Sequence, residues 1–312
     1  MRILRLGGQD ISNGCVMTIG NFDGLHLGHQ AMLEKLKQVG LKKNLATAVV
    51  IFEPQPLEYF KPELAPSRLM TFRQKVEVIK HMGIDNIVCL SFNQGLALKS
   101  PKEFVDSVLN QKLHAKYVLV GRDFKFGFKR AGDTTLLRAL GEEFCFETAV
   151  CDDISFDEQR VSSTRIRQAL SLDKLEQAAK MLGRPYQITG HISHGAKRGR
   201  LIGVPTANII LKHIPLTIRG VFSAEVLIAG SKKIEQGVAN IGFRPTVDGK
   251  NPQLEVHLFN FSDNLYGQRL NVNFKRKIRN EQKFDSFNDL TDQIKKDLQT
   301  AQLHLGLGTC SK

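Results

Sequence analysis

The chain has 312 residues, a length that corresponds to roughly two domains. Hydrophobic residues make up 42% and charged residues 24%, which excludes collagen-like and disordered classes of protein. Lys and Arg number 44 against 31 Asp and Glu, so the formal net charge is +13. This charge favours polyanionic partners, either nucleic acid or phosphorylated small molecules.

The lengths of the apolar runs indicate neither export nor membrane insertion. The longest uninterrupted apolar stretch, near residues 48–52, is far shorter than the roughly 20 residues that span a bilayer. No apolar run of signal-peptide length occurs at the N-terminus, so we expect a cytoplasmic protein with no membrane partner. The cysteines form no C-x-x-C pair, which predicts neither a disulfide framework nor a zinc site and leaves Cys310 without a role.

Short apolar runs alternate with helix signals in the first half. The runs are rich in Val and Ile, as buried parallel strands are, and lie at residues 15–20, 45–52, 86–91 and 116–120. Capping boxes that begin at Thr71 and Ser100 predict helices between these strands. The alternation predicts an α/β domain with a parallel sheet, which binds ligands outside the carboxyl ends of its strands.

The pattern changes near Gly183. Strand-like runs separated by turn residues then follow at residues 186–191, 220–228, 233–240, 253–260 and 270–274. Such spacing predicts an antiparallel sheet or a small barrel. A closing helix begins at a capping box from Ser286 to Asp289, with one apolar face predicted to contain Phe287, Leu290, Ile294 and Leu298.

A glycine-rich segment joins the first predicted strand to the first helix. Residues 20–29 read G-N-F-D-G-L-H-L-G-H. The glycines let backbone approach a phosphate closely, and the free N–H groups of a helix start attract anions. His26 and His29 are three residues apart, so both can donate hydrogen bonds to charge that develops on one phosphoryl group. The alternative is a pair of ordinary histidines at a strand–helix turn.

Hydroxyl and guanidinium groups cluster at residues 160–167, which read R-V-S-S-T-R-I-R. Hydroxyls at a helix start can bind a leaving pyrophosphate while Arg160 and Arg167 neutralise it. The alternative is a helix cap with solvated arginines.

The second half contains a basic, glycine-rich segment. Residues 190–197 read G-H-I-S-H-G-A-K and fail as a P-loop, because Ala196 precedes Lys197 and no Ser or Thr follows. Basic residues interleaved with glycine continue to residue 203 and suit a loop over phosphates. Thr206 and Asn208 alternate along an extended segment and offer hard oxygen ligands suited to Mg2+, although a P-T-x-N segment alone is often a turn.

The first-half motifs resemble the nucleotidyltransferase superfamily. With F-E-P-Q-P at residues 52–56 and G-R-D-F-K-F-G at 121–127, they are similar to the N-terminal module of the bacterial bifunctional riboflavin kinase and FAD synthetase family. The resemblance implies a Rossmann-like domain over residues 1–183 that transfers AMP from ATP to FMN and releases pyrophosphate. It departs from the family at residues 96–100, L-A-L-K-S, where relatives carry F-A-x-L-S.

This resemblance also implies roles for individual residues. His26 and His29 would be catalytic. Contacts to ATP phosphates would come from Asn21, Gly24, Arg160, Ser163, Thr164 and Arg167. Flavin contacts would come from Phe52, Pro54, Pro56, Phe60, Asp123 and Phe126, with packing as the alternative for the aromatic members.

The second-half motifs resemble the riboflavin kinase module of the same family. The matching blocks are G-V-P-T-A-N at residues 203–208, G-V-A-N-I-G-F-R-P-T at 237–246 and L-E-V-H-L-F at 254–259. The resemblance implies an antiparallel β-barrel with a closing helix over residues 184–312 that phosphorylates riboflavin. Glu255 would be the general base. Thr206 and Asn208 would bind Mg2+, and ATP contacts would come from Gly195, Lys197 and Gly203. Arg279 and Phe284 would contact the flavin.

The sequence therefore predicts a bifunctional transferase that acts on ATP, riboflavin and FMN, uses Mg2+ and binds no nucleic acid. One alternative keeps the kinase but gives the first module another acceptor, such as nicotinamide mononucleotide or phosphopantetheine. A second is a basic nucleic-acid-binding protein with inactive motifs. A third is a chain in which only one module is active.

Overall fold

The computed structural model describes residues 1–5, 11, 13–193, 203–211, 217–246 and 249–307. Two compact units divide the chain, Met1–Pro66 with Phe72–Ser162, and Ser67–Thr71 with Ser163–Lys312. The helices between residues 163 and 182 group with the second unit by their contacts, and the predicted boundary near residue 183 stays a prediction.

The described part of the first unit is built on a six-stranded parallel sheet. Its strands are β1 (Arg2–Arg5), β2 (Cys15–Ile19), β3 (Ala46–Glu53), β4 (Asn86–Ser91), β5 (Ala115–Gly121) and β6 (Glu147–Cys151), in the order β1-β4-β3-β2-β5-β6. A short hairpin follows, formed by β7 (Ser155–Phe156) and β8 (Gln159–Arg160). The four predicted strands are confirmed, while β1 and β6 were not predicted.

Helices connect these strands and cover the sheet. They are α1 (Leu27–Lys43), α2 (Pro56–Phe60), α3 (Phe72–His81), α4 (Gln94–Ala97), α5 (Pro101–Phe104) and α6 (Thr134–Glu143). Short 3-10 turns occupy Pro62–Leu64 and Phe128–Arg130, and a π-helical turn occupies Val105–Asn110. The predicted capping box of α5 is confirmed: Ser100 Oγ accepts the Glu103 N–H at 3.2 Å, and the Glu103 carboxylate accepts the Ser100 N–H at 2.7 Å.

The strand order places a switch point beside β2. From β2 the chain proceeds outward through β3 and β4, and it then returns to pair β5 with the opposite edge of β2. Loops that leave β2 and β5 at their carboxyl ends therefore diverge and leave a crevice, which is where open α/β sheets bind ligands. The loop of residues 20–26 follows β2, and the loop of residues 122–127 follows β5.

The second unit begins with α7 (Ser163–Ser171) and α8 (Leu175–Leu182). A closed barrel follows, in the order β10-β13-β12-β11-β14-β9. Its strands are β9 (Gln187–Ser193), β10 (Ala207–Ile210), β11 (Gly220–Ile228), β12 (Ile234–Thr246), β13 (Gly249–Leu258) and β14 (Arg269–Arg279), and α9 (Phe287–His304) ends the described fold. The predicted fold class, a Rossmann-like parallel sheet followed by an antiparallel barrel with a closing helix, is confirmed.

One detail of the closing helix corrects the prediction. Phe287 is 56% exposed rather than on the buried face, and Asp297 and Ala301 are buried instead. Asp297 is buried because Arg279 donates from Nε and Nη2 to its carboxylate at 2.7 to 3.0 Å, and Gln293 adds a hydrogen bond at 2.9 Å. A pattern of apolar residues cannot predict a helix anchored through a paired carboxylate.

We predict that Phe222→Ala lowers the free energy of unfolding of the second unit by about 3–5 kcal/mol, because it leaves a cavity in the core. Phe222 is fully buried on β11 and meets Phe274 edge to face at 5.4 Å. Urea unfolding followed by circular dichroism measures the change. Ile234→Ala, at an exposed site on β12, is the control and should stay within about 0.5 kcal/mol of the wild type. Equal effects of the two substitutions would contradict this account of the core.

Candidate active sites

The loop after β2 is held in an unusual backbone conformation. Phe22, Gly24 and Leu25 have φ values of 47°, 80° and 42°. For the two residues that are not glycine this region is sparsely populated and costs about 1–3 kcal/mol each. Both side chains are buried, so packing keeps the loop in this form. Residues forced into such a conformation occur most often at ligand sites.

The two histidines of this loop lie together, as the sequence predicts. His26 is the N-cap of α1, and its Nδ1 accepts a hydrogen bond from the backbone N–H of His29 at 3.4 Å. The two rings stack with their centroids 3.7 Å apart. Nδ1 of His29 is buried and has no hydrogen-bond partner among the described residues. A buried polar atom without a partner points to a group that binds there.

Burial and positive charge govern the protonation of His29. Loss of hydration lowers the pKa of His29 well below 6.5, and the charges of His26, Lys75 and Arg160 lower it further. The free protein therefore holds a neutral imidazole at neutral pH. Cationic groups that converge on one ring suit a polyphosphate, because an arriving anion offsets their mutual repulsion.

Arg160 and Asp123, predicted as phosphate and flavin contacts, are paired in the structure. Arg160 Nη2 donates to Asp123 Oδ1 at 2.8 Å, and its Nε lies 2.9 Å from Asp153 Oδ1. The hydrogen bond from Arg160 is the main cause that lowers the pKa of Asp123. A Cβ atom at Gly121, the last residue of β5, would lie 3.5 Å from Asp123 and 3.9 Å from Arg160. The pair therefore lies at the carboxyl end of β5.

Lys75 belongs to this site, although it is not among the residues predicted from the sequence. The residue is 1% exposed on α3, and its Nζ donates to the backbone carbonyl of Asn21 at 2.5 Å. The side chain of Asn21 is exposed, whereas Gly24 is buried. A usable signal was present, because Lys75 lies one helical turn before the buried Ile79 on the same side of α3.

An aromatic cluster lies beyond the end of β3. Phe92 meets Phe52 at 5.8 Å, Phe60 at 5.5 Å and Tyr59 at 5.5 Å, each edge to face. The ring of Phe60 is 58% exposed. The predicted Pro54 and Pro56 lie in the same segment, with Pro56 as the first residue of α2. Phe92 and Tyr59 were not predicted, because their proximity depends on the pairing of β3 with β4.

Phe126 occupies a different environment from the other predicted flavin contacts. It is buried in the hydrophobic core, stacked on Phe124 at 5.5 Å and 6.0 Å from Phe104. This burial supports packing, so a flavin contact by Phe126 stays a prediction.

The remaining phosphate-binding candidates of the first half lie in the second unit. Ser163 and Thr164 are the first two residues of α7. Arg167 Nε donates to the carbonyl of Ser67 at 2.6 Å, a contact within that unit.

A row of polar side chains crosses three neighbouring strands of the barrel. Glu255 on β13 lies opposite Asn208 on β10 and opposite Asn240 on β12. Strand alternation puts this row on the face opposite to that of the buried Leu254 and Val256. The structure therefore brings together Glu255 and Asn208, as the sequence predicts, and Thr206 immediately precedes β10.

Hydrogen bonds fix part of this row. Gln253 Nε2 donates to Asn208 Oδ1 and, at 3.1 Å, to Glu255 Oε1, while Asn208 Nδ2 donates to the carbonyl of Thr206 at 3.2 Å. Within the part of the chain that the structure describes, Asn240 Oδ1 is buried without a partner. Neither Gln253 nor Asn240 was predicted, although Asn240 stands between the buried Ala239 and Ile241 in a block that resembles the kinase module.

The oxygen donors of this row fit Mg2+. Thr206 offers a hydroxyl, Asn208 and Asn240 offer amide oxygens and Glu255 a carboxylate, all of them hard ligands. Over the described ranges, no group of three or more His, Cys, Asp or Glu residues is arranged to hold a metal ion. A site with so few charged ligands suits Mg2+, which takes most of its coordination from substrate phosphates and water.

Arg279 and Phe284, the predicted flavin contacts of the kinase, lie close to each other. The Arg279 guanidinium is 5.7 Å from the centre of the Phe284 ring. Arg279 belongs to the same row around the barrel, because Val221 on β11 faces both Arg279 and Asn240. Gly203 has a φ of 74° and is exposed. Gly195 and Lys197 lie outside the described residues.

The first unit is a parallel sheet with an anion-directed loop at its switch point. The second contains a barrel that presents a carboxylate among hard oxygen donors. Together these features define a two-module phosphoryl- and nucleotidyl-transfer enzyme. Residues 8–165 match the family model described as FAD synthetase, and residues 182–305 match that described as riboflavin kinase. This chain belongs to the bifunctional riboflavin kinase/FMN adenylyltransferase family, and the predicted resemblance is confirmed.

Relatives of this name cover nearly the whole chain. The Haemophilus influenzae protein is 47% identical over 294 residues, 94% of each chain. The Escherichia coli K12 protein is 44% identical over 299 residues, 96% of this chain and 95% of that one. A crystal structure titled macrolide-efflux protein from Streptococcus pneumoniae is 28% identical, with a TM-score of 0.77 over 95% of this chain and 97% of that one. In the described part of the present chain, no helix is long and apolar enough to cross a membrane.

We predict that acidification destabilises the protein partly through His29. In the unfolded chain the His29 imidazole takes up a proton near pH 6.5, whereas the folded protein resists protonation because the pKa is lowered. Above that pH both states are neutral and His29 contributes nothing, so the free energy of unfolding falls only as the pH drops below it. Urea unfolding at about pH 7.5 and about pH 5.5 measures this difference.

The fall in the free energy of unfolding between the two pH values should be smaller in His29→Asn than in the wild type. His81→Asn, at an exposed site on α3, is the matched control and should leave the fall unchanged. A fall of the same size in all three proteins would contradict the prediction.

Proposed function

We propose that this chain makes FAD in two steps, phosphorylating riboflavin to FMN in the barrel unit and transferring AMP from a second ATP to FMN in the first unit. The single observation that carries the proposal is that each unit holds its own cluster of polar side chains whose chemistry suits phosphate. These are the stacked His26–His29 pair of the first unit and the Asn208–Glu255–Asn240 row of the barrel. Family membership over both modules supports the same assignment.

In the first unit, a phosphate oxygen of FMN attacks the α-phosphorus of ATP, and pyrophosphate leaves. No protein nucleophile is required. Negative charge develops on the α-phosphoryl oxygens, and the imidazoles of His26 and His29, with backbone N–H groups at the start of α1, would stabilise it. Arg160 would neutralise the phosphates. Asn21 and Gly24 complete the proposed ATP contacts of this unit, and phosphate binding by Ser163, Thr164 and Arg167 stays a prediction.

The aromatic cluster beyond β3 supports a flavin as the acceptor. Phe52 and Phe60, with Pro54 and Pro56, offer rigid apolar surfaces to a planar ring, and stacking contributes about 0.5–1.5 kcal/mol beyond the area buried. Asp123 would add a polar contact. A flexible acceptor such as phosphopantetheine has no tricyclic ring for these surfaces, so the cluster favours FMN over that alternative.

In the barrel, we assign Glu255 as the general base. It would take the proton from the terminal ribityl hydroxyl of riboflavin as that oxygen attacks the γ-phosphorus of ATP. The hydrogen bond from Gln253 at 3.1 Å orients the Glu255 carboxylate beside Asn208, the residue directly opposite it on β10. Gly195, Lys197 and Gly203 would contact ATP, and Arg279 and Phe284 would contact the flavin.

Thr206, Asn208 and Asn240 are the residues that would hold Mg2+. The ion supplies compensation for phosphate charge when it is bound there. Asn240 is added to the predicted ligands because its buried amide oxygen is left without a partner in the described ranges of the chain.

The proposed function is tested by incubating the purified protein with riboflavin, ATP and Mg2+ and separating the flavins by chromatography over time. We expect FMN to appear first and FAD to follow, with pyrophosphate released alongside FAD. Formation of FMN without FAD would mean that only the kinase module is active. Binding of RNA or DNA with no turnover would instead favour the nucleic-acid alternative.

We predict that the two activities can be removed separately. His29→Ala should lower FAD formation from FMN by about 10²- to 10³-fold, because one donor to the developing charge is lost. Glu255→Gln should lower FMN formation from riboflavin by about 10²- to 10⁴-fold, because proton removal is lost. Each variant is the control for the other. Loss of both activities in either folded variant would contradict independent sites.

We predict that Asn208→Ala raises the Mg2+ concentration needed for half-maximal FMN formation and leaves FAD formation from FMN unchanged. The reason is that one oxygen ligand is removed from the barrel alone. Titration with Mg2+ in the two separate assays measures this. Ile210→Ala, at an exposed site on the same strand, is the matched control. An unchanged Mg2+ requirement in Asn208→Ala would contradict the ligand assignment.

A further inference from the structure

Lys75 is buried beneath the loop of the first unit that carries the two histidines. Lysines are seldom fully buried, because removing the ammonium group from water is costly unless a partner is present. Here Nζ donates to the carbonyl of Asn21 at 2.5 Å, and the side chain is 1% exposed. A charged donor of this kind binds a carbonyl more strongly than a neutral one.

The position of Asn21 explains why this hydrogen bond matters. Asn21 is followed directly by Phe22, with Leu25 three residues further on, and both have left-handed backbone conformations. A loop with such a backbone persists only when several contacts define it. The same loop ends at His26, the N-cap of α1, whose ring stacks on His29.

We infer that Lys75 is a positioning residue for AMP transfer, which holds the Asn21 carbonyl and thereby fixes residues 21–26 and the stacked histidine pair. The inference rests on the proposed function of the first unit. Because Lys75 is 1% exposed and contacts the loop at the Asn21 carbonyl, we assign it a role through the histidines rather than on substrate.

Electrostatics supports this role. The charged groups that act on His29 come from three elements, with His26 at the N-cap of α1, Lys75 on α3 and Arg160 on β8. Each of them lowers the pKa of His29. Removal of the Lys75 charge should therefore raise the pKa of His29 towards its ordinary value.

The test compares three variants of the full chain. Lys75→Met removes both the donor and the charge, and we expect FAD formation from FMN to fall by about 10- to 100-fold, as for a displaced catalytic group. Lys75→Gln keeps an N–H donor without the charge and should lie between Lys75→Met and the wild type. Lys80→Met, at an exposed site on the same helix, is the matched control and should change nothing. FMN formation from riboflavin should be unchanged in all three, which shows that the barrel unit remains folded, and urea unfolding followed by circular dichroism checks that the first unit does too.

Titration of the histidine ring resonances by nuclear magnetic resonance, without ligand, gives a second readout that does not depend on activity. The His29 midpoint should rise in Lys75→Met and in Lys75→Gln, and it should stay unchanged in Lys80→Met. If Lys75 were purely structural, the two Lys75 variants would not differ in FAD formation while the His29 midpoint rises in both. A difference in FAD formation together with a rise of both midpoints therefore separates positioning from a purely structural role.

Three results would overturn the inference. These are FAD formation by Lys75→Met within about twofold of the wild type, equal loss of both activities in that variant, and an unmoved His29 midpoint. If the wild type forms no FAD, the proposed function fails on its own. The histidine resonances then still show whether Lys75 acts on His29.

Discussion

The pairing of β2 with β3 on one edge and with β5 on the other is the constraint on which the first unit depends. It brings three loops that are distant in sequence to one end of the sheet, namely the histidine loop after β2, the aromatic segment after β3 and the Asp123 loop after β5. Because the strands are parallel, all three loops leave from the same end. The location of the chemistry is therefore set by strand order before any single side chain is considered.

In the barrel, strand register rather than strand order brings the polar side chains together. Two amides lie beside one carboxylate, because Glu255 is directly opposite both Asn208 and Asn240 on the neighbouring antiparallel strands. A slip of one residue in either pairing would move the members of this row to opposite faces. The two units thus present clusters of different chemistry, imidazoles and a helix start in one and hard oxygens in the other.

The sequence was sufficient for the repetitive features. Apolar runs located β2 to β5, and the spacing of motifs located the histidine pair and the Asn208–Glu255 pair. Buried polar residues were not predicted, because their burial depends on partners elsewhere in the chain. Lys75 donates to Asn21 across 54 positions, and Asp297 accepts from Arg279. Phe287 was misplaced for a related reason, because α9 buries Asp297, which is bonded to Arg279, while Phe287 is 56% exposed.

Arg160 illustrates how a contact seen in the free protein bears on ligand choice. It is already paired with Asp123 and Asp153, so an arriving anion competes with two carboxylates for the guanidinium charge. A singly charged anion gains little from such a competition, whereas a group with several negative charges gains more. We therefore expect the two aspartates to make this end of the sheet favour polyvalent anions over monovalent ones.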